Sequence, residues 1–82
     1  MAPAAQAWPA WAEVLADKFC EYRSIGISTK KSYMAAYRDL GAQYPGFDDQ
    51  IIAAQEDETY GPVSAAAIKE ACPGAFESGL EN

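Results

Sequence analysis

Trp8, Trp11, Leu15, Phe19, Tyr22 and Ile25 recur at steps of 3, 4, 4, 3 and 3, and this spacing leaves little choice of fold. Large side chains at such intervals share one face of an α-helix, since each residue advances roughly 100° around the axis. A helix with so long an apolar stripe must bury it against other elements. Pro9 suits the first helical position, where its missing N–H would have no partner anyway. Gly26 suits the left-handed position just past a helix end. The spacing therefore predicts a helix over 9–25, with Cys20 at the edge of its stripe, where it can still face a neighbouring helix.

A second helix is expected from the N-cap Ser28 to Leu40, stopped by Gly41, with Tyr33, Ala36, Tyr37 and Leu40 on its inner face. The short Gly26-Ile27 link implies antiparallel neighbours or a sharp corner. "GAQYPGF" then breaks the chain. A third helix is read over 48–56, where Asp48 or Asp49 supplies the cap and complements the helix dipole, and Phe47, Ile51, Ile52 and Gln55 give a partial stripe. "EDETYGP" reads as a loop. The last helix is expected over 62–72, with Val63, Ala67, Ile68, Ala71 and Cys72 inward and Pro73 and Gly74 ending it. No β-alternation and no internal repeat interrupts this pattern. The class is all-α, a compact bundle of about four short helices: a flexible Ala/Pro-rich lead over 1–8, a helical domain over 9–74, and a loose tail over 75–82 in which Phe76 could fold back on the core.

A chain of 82 residues is small for such a bundle. It buries only about 60% of the surface exposed when unfolded, so domains of this size often add a staple. With no histidine, and only Cys20 and Cys72 as thiols, a four-ligand structural zinc site cannot be assembled. The two cysteines admit two readings. As buried free thiols they act as small apolar side chains. As one disulfide they imply an oxidising compartment, and closing a loop of about 50 residues would stabilise the fold by roughly 4 kcal/mol. Ahead of the first helix, Ala5-Gln6-Ala7 matches the small-x-small pattern that precedes a signal-peptidase cut, without a charged or apolar region before it. That fits a mature exported protein with Met1 added for expression, and equally a plain Ala-rich lead.

The formal charge is −6 and the isoelectric point about 4.3. This opposes binding to nucleic acid or anionic lipid, and no apolar run approaches the ~18 residues of a membrane span. The charge is also lopsided. Lys18, Arg23, Lys30, Lys31 and Arg38 face only Glu21 within 18–38, whereas 39–82 holds nine acids and Lys69 alone. Mutual attraction of the two halves, or simple solvation, is the plainer account. Lys30 and Lys31 fit it poorly, because the first turn of a helix disfavours cations. Without histidine, charge hardly changes until carboxylates titrate near pH ~4, so acid rather than near-neutral pH is the natural electrical switch.

Catalysis finds little here. A Ser–His or Cys–His pair cannot form, and "FDDQ" and "QEDET" lack the glycine of a calcium loop, reading instead as a helix cap and a solvated loop. A carboxylate acid–base pair would need a cleft that four short helices seldom provide. No enzyme and no cofactor is expected. Most of the aromatic residues belong to the core, but so small a bundle has little room for all of them. Some of Trp8, Trp11 and Tyr33 are therefore candidates for an exposed contact patch, together with the basic Arg23, Lys30 and Lys31. The expected partner is another protein, a second copy included.

"FCEYRSIGIS" around Cys20 and "VSAAAIKEACPGAF" around Cys72 resemble the two cysteine segments of the HdeA family of periplasmic acid-stress chaperones. The resemblance implies a helical fold with Cys20 and Cys72 as its disulfide, and an acid-triggered loosening that exposes apolar surface to unfolding clients. The chain departs from that family in its acidic "FESGLEN" ending, which carries no base after Lys69. Through Cys72-Pro73 it is also similar to small exported helical mycobacterial proteins with a terminal "CP". The expectation is a small exported, non-enzymatic protein, periplasmic or secreted, acting by protein–protein contact, with an acid-activated chaperone as its sharpest form. The alternatives are an accessory subunit of a periplasmic or thylakoid-lumen assembly, and a small hydrophobic-ligand carrier with Trp11, Phe19 and Tyr37 lining its cavity.

Overall fold

A computed structural model describes residues 8–74. Four α-helices follow one another: α1 (Ala10–Ser24), α2 (Thr29–Gln43), α3 (Asp48–Glu56) and α4 (Tyr60–Ala71), with a 3-10 turn, Pro45–Phe47, leading into α3. There is no strand among the described residues. The fold is all-α, as expected. The expected tail over 75–82, with Phe76, and all of the lead but Trp8 lie outside the described residues.

Helix α1 is the axle. It packs against both α2 and α4, whereas α3 rests on α4 and the 3-10 turn. The reason lies in two adjacent rows of α1 side chains. Trp11, Leu15 and Phe19 form a large-residue row, and all three are buried. Ala12 and Ala16, also buried, form a second row that runs on to Cys20. Small side chains let another helix come close, and Ala16 and Ala67 both line the groove between α1 and α4. Ala36 and Leu40 of α2, Ile51 of α3, and Ala67 and Ile68 of α4 complete the core. Each large apolar side chain buried this way contributes about 1.5–3 kcal/mol.

Cys20 and Cys72 are joined: their sulfurs are 2.03 Å apart and their Cα atoms 6.0 Å, across 52 residues of sequence. No described cysteine is free. The free-thiol reading therefore gives way to the disulfide, which ties the middle of α1 to the C-cap of α4.

The corner between α1 and α2 is closed by the backbone. Gly26 has φ 93°, the left-handed region that favours glycine. Its N–H donates to the Arg23 carbonyl (3.0 Å), and the Ile27 N–H donates to the Tyr22 carbonyl (3.2 Å). These two bonds make a Schellman closure. The Ile27 carbonyl accepts from both Arg23 Nη1 (2.5 Å) and Ser32 Oγ (3.1 Å), and Ser28 Oγ accepts the Lys31 N–H (3.3 Å) as the N-cap of α2. Ile25, the last residue of the predicted stripe, is 72% exposed because the helix has already ended at Ser24.

Several helix ends and caps differ from expectation. Pro9 caps α1 rather than opening it, its carbonyl accepting the Ala12 and Glu13 N–H groups. Gly41 lies inside α2, which runs on to Gln43. Pro45 is the effective stop, since a proline disfavours helical geometry in the residue before it, and Tyr44 has φ −132° and ψ 62°. Phe47, not an aspartate, is the N-cap of α3, and Asp48 and Asp49 lie in its first turn, where they complement the dipole without capping it. Helix α4 begins at Tyr60, two residues before Pro62, because any position in a first turn lacks an intrahelical acceptor for its N–H and so tolerates proline. The loop before it shrinks to a second Schellman closure. Glu58, at φ 63°, donates its N–H to the Gln55 carbonyl (3.1 Å), and Thr59 donates to that of Ala54 (2.9 Å).

Candidate protein-contact surface

The structure separates the six predicted contact residues. Trp11 is only 3% exposed and belongs to the core, so it is no part of a surface patch. Its ring stacks on Tyr60, with centroids 5.2 Å apart and planes at 13°. Tyr33, half-buried, meets the same Tyr60 edge-on at 6.4 Å, and Tyr37 does so at 6.0 Å. Trp8 lies half-buried beside α4, where its Nε1–H donates to Glu70. Arg23 turns inward to the Ile27 carbonyl. Only Lys30 and Lys31 stand exposed on the first turn of α2.

Tyr60 is the hub that sequence reasoning missed. Sited in what reads as a loop, it anchors the start of α4 beneath three aromatic rings. Its hydroxyl is buried with no hydrogen-bond partner among the described residues, and burial pushes its phenol well above the usual tyrosine range. Trp11 and Phe19, expected around a ligand cavity, are instead packed within this core.

A different set of side chains makes a surface. Tyr22 from α1, Ile27 from the corner, and Lys31, Met34, Ala35 and Arg38 from α2 line a groove of about 590 Å3. The four α2 residues fall at i, i+3, i+4 and i+7, and helical geometry puts that row on the side of α2 opposite Ala36 and Leu40. Met34 is 59% exposed, an apolar side chain on the wrong face for the core. Tyr22 borders the groove because its hydroxyl donates to Asp39, a bond that ties α1 to α2 and raises the phenol above its ordinary value. Lys31 and Arg38 therefore stand at either end of an apolar floor. The signal was present in the sequence, since Met34 is the one large apolar residue of α2 that falls off its inner stripe.

Other depressions are less coherent. Val14, Asp17, Lys18, Glu21 and Tyr44 line one of about 440 Å3 with mixed charge, and another of about 240 Å3 lies between α1 and α4 beside Trp8. Among the described residues, no cluster of three or more His, Cys, Asp or Glu side chains could hold a metal ion, and no helix is long and apolar enough to cross a membrane.

Neither protein-family models, nor curated proteins, nor solved structures gave a match to this chain.

Proposed function

We propose that the chain is a small, non-enzymatic helical protein of an oxidising compartment, periplasmic or secreted, that works by protein–protein contact through the outer face of α2. The observation that carries this reading is Met34, exposed between Lys31 and Arg38 on a face that the core does not use. An apolar floor with a charged rim is the ordinary anatomy of a contact surface. The disulfide supports the oxidising compartment. The test is a pair of variants followed by size-exclusion chromatography of native extracts. Met34→Asp is expected to release the protein from its complex, while Ile52→Asp, at an exposed position on α3 (51%), leaves the complex intact. Equal behaviour of the two variants would remove the α2 face from the function.

The acid-activated chaperone is the sharper form of this reading. Its support is electrical: two links between segments, Tyr22–Asp39 and Trp8–Glu70, end on carboxylates, and the sequence contains no histidine. Fluorescent-dye binding and client protection near pH 2–3 are expected. A compact monomer that protects nothing there leaves the accessory-subunit form, in a periplasm or thylakoid lumen, with one stable partner at neutral pH.

A further inference from the structure

Resting on the α2 contact face, we infer that its groove takes an acidic amphipathic helix of another protein, with apolar side chains on Met34 and Ala35 and carboxylates against Lys31 and Arg38. Three features of the groove point to this occupant.

The first is spacing. Lys31 and Arg38 are seven residues apart on one helical face, about two turns or ~10 Å along the axis. A docked helix bearing carboxylates seven residues apart matches that separation, and the turn between them presents apolar residues to the floor. The second is charge. No salt bridge to Lys31 or Arg38 is found among the described residues, and Asp39, which accepts from the Tyr22 hydroxyl, keeps its charge beside Arg38 without pairing with it. The two cations are thus available to a partner. The whole chain is acidic, and Asp39 and Glu21 act on Tyr22 at the groove's edge. Lys31 and Arg38 are nonetheless the charged side chains that line the groove itself, and more distant charges are screened beyond roughly 8 Å at physiological salt. The third is the floor. Ile27, Met34 and Ala35 offer apolar surface without a deep pocket, and the unbranched methionine adapts to differing side chains. Lys30, exposed one position before Lys31, strengthens the positive end.

The test uses the intact, oxidised protein and a capped, fluorescent, helix-forming peptide of roughly 16 residues. The peptide carries two leucines flanked by glutamates seven residues apart; a second peptide has lysines in place of those glutamates. The acidic peptide is expected to bind, more weakly as salt rises, and to lose about tenfold in affinity with Arg38→Glu or Met34→Asp. Lys31→Glu/Arg38→Glu together are expected to reverse the preference in favour of the lysine peptide, a gain that misfolding could not produce. Equal binding of both peptides by the unchanged protein, or none, overturns the proposal. So does self-association in sedimentation that Arg38→Glu abolishes, which would make a second copy the occupant. If the peptides fail while Met34→Asp still breaks the native complex, the contact face stands and the acidic-helix assignment alone falls.

Discussion

Tyr60 shows how one residue can fix an element in place. Its ring touches Trp11, Tyr33 and Tyr37, one from α1 and two from α2, while its backbone starts α4. Tyr60→Ala removes the ring on which the others rest and is expected to lower stability by about 3 kcal/mol in denaturant unfolding. Tyr60→Phe keeps the ring and removes a buried hydroxyl without a partner, so it is expected to leave stability unchanged or slightly higher. The phenol also distinguishes the parent from Tyr60→Phe by pH. Because burial raises the folded phenol above its unfolded value near pH 10, the unfolded chain loses that proton first. The contribution of Tyr60 is then complete below about pH 10 and declines as pH rises beyond it. The alkaline loss is expected to be smaller in Tyr60→Phe than in the parent; equal losses would assign it to other groups. None of this was legible in "EDETYGP", whose composition signals a loop, because the partners of Tyr60 come from distant sequence.

At the scale of elements, periodicity revealed which helices exist and local chemistry only partly revealed where they end. The 3.6-residue pattern sufficed for α1 and α2, and α3 spans the residues expected of it. Glycine was the ambiguous signal. Gly26 at φ 93° ends α1, whereas Gly41 sits in the interior of α2 with no special backbone angle. The two residues look alike in sequence, and what separates them is Pro45, which gives α2 a later stop. Opposite effects of alanine follow. A Cβ on Gly41 meets nothing within 4 Å, so Gly41→Ala is expected to stabilise the protein by about 0.5–1 kcal/mol. Gly26→Ala forces a side chain into the left-handed region and is expected to destabilise it by about 1–2 kcal/mol. Thermal unfolding of the two variants checks both signs. The contact groove was legible in part: its cations stood out as a basic run, but Met34 gained meaning only once its neighbours on the outer face of α2 were known.

For the molecule as a whole, the disulfide and the α2 groove lie on different parts of the fold. Cys20 and Cys72 hold α4 to α1, while the groove is built on α1's end, the corner and α2. Reduction is expected to lower stability by roughly 4 kcal/mol, read as a shift of the denaturant midpoint. That is a large share of the 5–15 kcal/mol typical of folded domains. The oxidised protein is expected to resist alkylation even when unfolded in denaturant, until a reductant is added. The central claim, however, is that this protein acts by contact through the outer face of α2. The most direct measurement is site-specific photo-crosslinking in the native compartment, with a benzophenone side chain at position 34 and, separately, at position 52. A discrete cross-linked species from position 34 that is missing from position 52 is the predicted result. The same products from both positions, or none from position 34, would contradict it.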